Sequence, residues 1–154
     1  MKRLEDFIKI LEALRIEDVD FILIGGIAVI IHGFPRFSED VDIVIKMNED
    51  NIAKIRNALL KLYKDEDIKE ITFDELSSYS VLRYISPNED IIDIIGNLGE
   101  SYNFNNIDFT EIEIEGKYYK VATPKVLIDM KSNTYREKDK TDLLFLKNLI
   151  ENQG

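Results

Sequence analysis

Three aspartates in two apolar segments are the residues best suited to chemistry. Asp40 and Asp42 stand two positions apart in a segment that continues as Ile-Val-Ile, so in a strand both side chains project from the same face. Two adjacent carboxylates repel each other unless a cation joins them, and an oxygen-preferring ion such as Mg²⁺, which bridges to substrate phosphates, suits the pair. Surface strands also carry such pairs with water alone. The pair by itself leaves metal binding and simple solvation both open.

The third aspartate, Asp93, lies in the segment Ile91-Ile92-Asp93-Ile94-Ile95. A charge among isoleucines must be paired, protonated or metal-bound to offset the cost of removing it from water. We therefore predict that Asp93 joins Asp40 and Asp42 in one metal site. The alternative is a buried carboxylate that is satisfied by Arg83 or by a backbone amide.

A glycine pair precedes these carboxylates in the chain. Gly25 and Gly26 directly follow an apolar run and precede a second one, a pattern that predicts a strand, a turn and a helix. Bare backbone N–H groups at such a turn can approach an anion closely. A phosphate site and a tight turn without a ligand are both compatible with the pair alone. Combined with the three carboxylates, the glycines favour metal-assisted nucleotidyl transfer.

The elements that must position these residues follow from hydrophobic periodicity and from turn residues. Apolar residues at i, i+3, i+4 and i+7 predict helices, and short β-branched runs between turn residues predict strands. Thr123-Pro124 is a typical helix start. We predict helices over residues 4–14, 27–31, 49–63, 124–131 and 138–151, with strands over 20–24, 41–45, 81–85, 91–95, 109–115 and 117–121. This order predicts an α+β fold in one domain over residues 1–154, with a central mixed sheet, flanking helices and a C-terminal helical segment.

Composition excludes several classes of function. The chain has 45% hydrophobic and 32% charged residues, a globular balance. Its net charge of −10 disfavours general binding to nucleic acid. The absence of cysteine and the single histidine exclude thiolate chemistry and poly-histidine metal sites within one chain. The longest apolar run contains two glycines and is too short to span a bilayer. We expect a cytoplasmic protein without a membrane partner.

The stretch from Gly25 to Asp42 resembles the signature of the nucleotidyltransferase superfamily related to DNA polymerase β. Its form, with Gly-Gly-x-Ala, His-Gly, then Arg36 and Ser38 before the Asp pair, is similar to minimal nucleotidyltransferases and to abortive-infection toxins of the AbiEii type. A second match lies near the C-terminus, in a Lys-x4-Arg-x-Lys-Asp-x-x-Asp arrangement. Its residues are Lys131, Arg136, Lys138, Asp139 and Asp142.

The resemblance implies a nucleotidyltransferase fold and assigns roles. It implies that the Gly25-Gly26 backbone contacts nucleotide phosphates and that Lys131 lies near the triphosphate. It also implies that Mg²⁺ or Mn²⁺ is held by three catalytic aspartates, the third of which helps to deprotonate the attacking hydroxyl: Asp40, Asp42 and Asp93.

Further polar residues would support this site by the same resemblance. Arg36 is expected either to clamp a phosphate or to hold Asp40 or Asp42 when no metal is bound. The expected supporting residues are Ser38, Arg136, Lys138 and Asp139. For the C-terminal ones, ordinary capping and salt bridging on an exposed helix is the alternative.

Two functions remain open at this stage. The first is a Mg²⁺-dependent enzyme that moves a nucleoside monophosphate from an NTP to a hydroxyl or phosphate of an unidentified acceptor, which is a small molecule, a protein or an RNA. The second is a non-catalytic component of a toxin–antitoxin or regulatory pair with the same fold. In either case a second copy of the chain, as a homodimer, or an antitoxin partner could complete the cleft.

Overall fold

The computed structural model describes residues 2–131 and 137–153, apart from the side chains of residues 137, 138 and 153. Two predicted site residues, Arg136 and the side chain of Lys138, therefore lie outside the described residues. The helices are α1 (Leu4–Ile16), α2 (Gly25–Ile31), α3 (Glu49–Tyr63), α4 (Phe73–Ser78), α5 (Pro124–Lys131) and α6 (Glu137–Gln153), with a 3₁₀ helix at Glu66–Glu70. The strands are β1 (Phe21–Ile24), β2 (Asp40–Ile45), β3 (Val81–Ile85), β4 (Ile91–Ile95), β5 (Asn97–Leu98), β6 (Tyr102–Asn103), β7 (Phe109–Ile114) and β8 (Lys117–Ala122).

Six of these strands form one mixed sheet in the order β3-β4-β2-β1-β8-β7. The β3–β4 and β7–β8 pairs are antiparallel hairpins, and β1 pairs antiparallel with β2. The pairs β2–β4 and β1–β8 are parallel. This sheet and the surrounding helices confirm the predicted α+β class with a central mixed sheet.

The central strands are apolar because both faces of the sheet are covered. All four residues of β1 are buried, and so are Ile43, Val44 and Ile45 of β2. Helices α1 and α3 pack against each other, with Leu11 and Ile55 fully buried. Each such aliphatic side chain contributes roughly 1.5–3 kcal/mol of transfer free energy. These helix residues and the buried residues of β1 and β2 belong to one continuous hydrophobic core.

Helix α3 shows how local sequence fixes an element boundary. The Asn48 side chain accepts a hydrogen bond from the backbone N–H of Asn51 at 2.7 Å, which caps the helix N-terminus. Glu49 and Asp50 occupy the first turn, where negative charge favours the helix dipole. The predicted start and end of this helix are confirmed.

The structure also contains elements that the sequence pattern did not predict. These are the 3₁₀ helix, α4 and the two-stranded β5–β6 hairpin. In α4 the Thr72 side chain accepts a hydrogen bond from the N–H of Glu75, a Thr-x-x-Glu start signal that the sequence carries. The strands β5 and β6 have two residues each, which is too short for an alternating pattern.

Within the described ranges, no helix has the length and apolarity needed to cross a bilayer.

Candidate active site

Strand register brings the three predicted aspartates together. Strands β2 and β4 are parallel neighbours in which Asp42 lies opposite Asp93. Asp40 precedes Asp42 by two residues and therefore shares its face of the sheet. One carboxylate oxygen from each of the three lies within 4.8 Å of the other two. Three oxygen ligands at this spacing fit a hard divalent cation such as Mg²⁺ or Mn²⁺.

The carboxylates differ in their proton affinity. Burial, together with the negative charges of Asp40 and Asp93, raises the pKa of Asp42 to about 8. Burial also opposes ionisation of Asp93, but hydrogen bonds from Arg83 and within the carboxylate cluster lower its pKa overall. Like charges in one site separate in pKa in this way. A bound divalent cation would favour the ionised form of Asp42.

Arg83 on β3 is a cation that the sequence predicted only as the alternative partner of Asp93. Its Nε and Nη2 donate hydrogen bonds to the two Asp93 oxygens at 2.8 and 2.9 Å. Its Nη2 also lies 3.4 Å from Asp40 Oδ2. The Arg83 side chain is 53% exposed, so the guanidinium stands at the solvent edge of the aspartate cluster. Asp93 therefore takes part in both predicted arrangements, the cluster and an ion pair.

Close contacts with side chains of the site explain why positions 25 and 26 are both glycine. Gly25 has a φ of +69°, and a Cβ there would lie 2.0 Å from Asp42 Oδ2. A Cβ on Gly26 would lie 2.4 Å from Arg36 Nη2 and 3.1 Å from Ser38 Oγ. Side chains of the site therefore pack directly against the backbone of the glycine turn. The phosphate role of this turn stays a prediction.

Arg36 does not take the second role expected for it, which was to hold Asp40 or Asp42. Its Nε lies 3.0 Å from Oδ1 of Asp142, a fully buried residue of α6. Oδ2 of Asp142 lies 3.2 Å from Lys131 Nζ. Among the described residues, Arg83 rather than Arg36 is the arginine that contacts the aspartate cluster.

Lys131 is itself buried and lies 3.0 Å from Asp139 Oδ1. Asp139 is 1% exposed, so the interpretation of Asp139 and Asp142 as exposed helix salt bridges is wrong. The pKa of Asp42 is raised overall, and the positive charge of Lys131 opposes that rise. The buried ion pairs tie the loop before β2 to α5 and α6.

Ser38 and His32 have structural contacts close to the site. Ser38 is buried and its hydroxyl donates to the backbone carbonyl of Asp40 at 3.2 Å, which fixes the start of β2. His32 Nε2 lies 2.8 Å from the carbonyl of Ala122. Burial lowers the pKa of His32 although this hydrogen bond opposes the shift. A neutral imidazole that donates to a strand end explains the single histidine without a catalytic role.

Comparison with known proteins was made at the level of family, sequence and fold. The family model described as nucleotidyl transferase AbiEii toxin, Type IV TA system, matches residues 9–136. That range contains the glycine turn, the three aspartates and Lys131. No curated protein sequence gives a significant match.

Solved structures with a similar fold include the following three proteins. An antigenic nucleotidyltransferase-like protein from Paracoccidioides brasiliensis aligns with 97% of this chain and 76% of its own, at 18% identity and a TM-score of 0.60. The lincomycin-bound lincosamide antibiotic adenylyltransferase LnuA aligns with 94% and 96%, at 16% identity and a TM-score of 0.59. JHP933 from Helicobacter pylori aligns with 93% and 65%, at 20% identity and a TM-score of 0.51. These likenesses establish the fold.

Proposed function

The chain belongs to the AbiEii nucleotidyl transferase toxin family, and we propose that it is a Mg²⁺- or Mn²⁺-dependent enzyme that transfers a nucleoside monophosphate from an NTP to an acceptor hydroxyl. The observation that carries the proposal is the convergence of Asp40, Asp42 and Asp93 on one face of the sheet. Burial, together with repulsion among these carboxylates, raises the pKa of Asp42, and a cation bound between them would favour its ionised form.

Each element of the proposed site has a task that its chemistry allows. Asp40, Asp42 and Asp93 would hold the metal through oxygen ligands. Lys131 and the tip of Arg36 carry the positive charge that a triphosphate requires. The backbone of Gly25 and Gly26 lies between these two groups of residues, as the contacts of Asp42 and Arg36 with the glycine turn indicate. When bound, the metal neutralises charge on the transferring phosphate and lowers the pKa of the attacking hydroxyl.

The transfer is a single displacement at phosphorus. A bond forms between the acceptor oxygen and the α-phosphorus, and the bond from the α-phosphorus to the bridging oxygen of the β-phosphate breaks. The electron pair of that bond leaves with pyrophosphate. Asp93 takes the hydroxyl proton; it is ionised at neutral pH because its hydrogen bonds, with Arg83 first among them, outweigh the effect of burial on its pKa.

The choice of acceptor is constrained by charge alone. A net charge of −10 repels nucleic-acid backbones, which favours a small molecule or a protein over an RNA.

A second function is supported by the family description, which names a toxin of a type IV toxin–antitoxin system. In this version the chain is one half of such a pair, with an antitoxin as its partner. It need not be catalytic for that role, although all three aspartates are present. The two functions differ in whether labelled nucleotide becomes attached to any acceptor.

The test is a transfer assay in cell extract with each of the four NTPs and Mg²⁺. Label in the α-phosphate should appear on an acceptor, and label in the γ-phosphate should not, because the β- and γ-phosphates leave as pyrophosphate. The Asp42→Asn protein is the matched control and should transfer nothing. Absence of α-label from every acceptor, with nucleotide binding intact, would favour the non-catalytic role. Transfer of γ-label would contradict nucleotidyl transfer.

A further inference from the structure

A cleft of about 490 Å³ adjoins the proposed phosphate site. It lies between the end of β1, the β5–β6 hairpin and α5, and it is bounded by Gly25 and Lys131. Pockets for ligands of nucleotide size fall in the range of roughly 300–1,000 Å³. Its walls are apolar at Ile24, Leu98 and Leu127. Flat, weakly polar groups such as a nucleobase are stabilised between walls of this kind.

Two charged side chains line the cleft, Lys131 and Asp129. Lys131 lines it together with Gly25, and its ammonium group is paired with the buried carboxylates of Asp139 and Asp142. Asp129 is the other charged residue that lines the cleft, and it is exposed and accepts a hydrogen bond from the Tyr102 hydroxyl. A carboxylate repels phosphate and accepts further hydrogen bonds from neutral donors. Asp129 is therefore the group of the cleft that can accept a hydrogen bond from a bound nucleoside.

The β5–β6 hairpin positions Tyr102, the residue that donates the hydrogen bond to Asp129. Leu98 and Tyr102 face each other in the β5–β6 register, and Asn106 Nδ2 donates to the carbonyl of Ser101 at 2.9 Å. The hydrogen bond to Asp129, with burial and the Asp129 charge, raises the pKa of Tyr102 to about 12. The phenol therefore remains a donor at every physiological pH and orients the carboxylate.

We propose that this cleft binds the nucleoside of the substrate nucleotide and that Asp129, oriented by Tyr102, accepts a hydrogen bond from a donor on that nucleoside. The donor is a ribose hydroxyl or an exocyclic amino group of the base. The inference rests on the proposed function, because it places the triphosphate at Lys131 and the glycine turn. In this arrangement the phosphates lie toward Gly25 and Lys131, and the nucleoside lies toward Tyr102 and Asp129.

The experiment separates the two halves of the nucleotide. Calorimetric titrations with Mg²⁺ and without acceptor use inorganic triphosphate, the four NTPs and the matching dNTPs. The best NTP should bind at least about tenfold more tightly than triphosphate, because the nucleoside adds apolar burial and a hydrogen bond to a charged group. Asp129→Asn should remove about five- to tenfold of NTP affinity and leave triphosphate affinity unchanged. Asp74→Asn, the same change at an exposed position on α4, should alter neither.

The nucleotide series identifies the donor. If the donor is a ribose hydroxyl, the native protein should bind dATP more weakly than ATP by the same factor by which Asp129→Asn weakens ATP binding. The Asp129→Asn variant should then bind ATP and dATP equally. If the donor is an amino group, the native protein should bind ATP, CTP or GTP more tightly than UTP, and Asp129→Asn should remove that difference. Tyr102→Phe should reduce NTP affinity in the same direction with triphosphate affinity unchanged, whereas a purely structural hydrogen bond would lower only the melting temperature.

Several results would overturn the proposal. NTP affinity that exceeds triphosphate affinity but is untouched by Asp129→Asn and Tyr102→Phe would place the nucleoside elsewhere. An unchanged NTP affinity with a raised KM for the acceptor would make the cleft the acceptor site. Equal losses for triphosphate and NTP would mean that Asp129 acts through general structure. If neither triphosphate nor any NTP binds, the proposed function fails together with this inference.

Discussion

Arg83 and Asp93 face each other across the antiparallel β3–β4 pair, and the guanidinium donates two hydrogen bonds, of 2.8 and 2.9 Å, to the carboxylate. This bidentate pair places one positive charge beside three carboxylates. The Arg83 side chain is 53% exposed. Water can therefore solvate the guanidinium when the carboxylates bind a metal ion instead. Arg83 is therefore the counter-ion with which a bound metal would compete.

Replacing Arg83 should reveal that competition. In Arg83→Gln the carboxylates lose their counter-ion, so without metal the melting temperature should fall by a few degrees, corresponding to about 1 kcal/mol for a half-exposed pair. The rise in melting temperature on adding Mg²⁺ should be larger than in the native protein, because binding no longer displaces the guanidinium. Lys69→Gln, which removes an exposed ion pair with Glu66 on the 3₁₀ helix, is the control. A smaller Mg²⁺ response in Arg83→Gln would contradict this role.

The raised pKa of Asp42 predicts a pH dependence. Between about pH 4 and the folded pKa of about 8, the native state holds a proton on Asp42 that the unfolded state has released. The contribution of Asp42 to stability should therefore fall as pH rises, by at most about 1.4 kcal/mol per pH unit. Thermal melts in EDTA from pH 5 to 9 measure this slope, and Asp42→Asn should lack that contribution.

Metal binding should depend on pH for the same reason. Mg²⁺ binds the ionised carboxylate, so its affinity should increase as pH rises toward 8 and binding should release a proton. Titration calorimetry in buffers of different ionisation enthalpy counts that proton. A Mg²⁺ affinity that is constant from pH 6 to 9 would show that no ligand of the metal titrates in this range and would contradict the raised pKa of Asp42 as a control of metal binding.

Asp93→Asn distinguishes chemistry from structure. We expect transfer to slow by roughly two to four orders of magnitude, the scale of lost proton transfer, while NTP affinity stays within a few-fold. A buried ion pair broken at one partner would cost about 3–5 kcal/mol, but Arg83 is half-exposed and Asn keeps one acceptor oxygen. The melting temperature should therefore change little. A large loss of stability with unchanged transfer would contradict the catalytic role of Asp93.

A substitution at Gly26 tests whether the glycine turn binds phosphate, but the same substitution also affects Arg36. An added Cβ would lie 2.4 Å from Arg36 Nη2, so Gly26→Val should displace the arginine tip and weaken NTP binding even if no phosphate contacts the backbone. The double variant with Arg36→Gln separates the causes. If it binds NTP less tightly than Arg36→Gln alone, the backbone of Gly26 contributes to binding. Equal affinities would assign the whole effect to Arg36.

Features that depend on residues close together in the chain can be predicted from the sequence, whereas contacts between distant residues cannot. The isoleucine segment around Asp93 and the start of α3 were predicted because periodicity and capping act over a few residues. The pairing of Arg83 with Asp93 was open as an alternative, since both lie in one hairpin. The contact between Arg36 and Asp142 was not found, because it joins residues far apart in sequence and only the packing of α6 creates it.

That long-range contact makes Asp142 a residue whose loss should strongly destabilise the fold. It is fully buried and lies within 3.2 Å of cations on both Arg36 and Lys131. Asp142→Asn leaves these two cations with Asp139 as the remaining buried carboxylate of the group, and we expect a loss of about 3–5 kcal/mol. Urea denaturation measures it, and Asp50→Asn, at an exposed carboxylate paired with Lys54 on α3, should cost less than about 1 kcal/mol. Because inorganic triphosphate can replace the missing negative charge at Arg36 and Lys131, it should restore more stability to Asp142→Asn than it adds to the native protein. Equal stabilisation of both proteins would mean that the phosphates bind away from these cations.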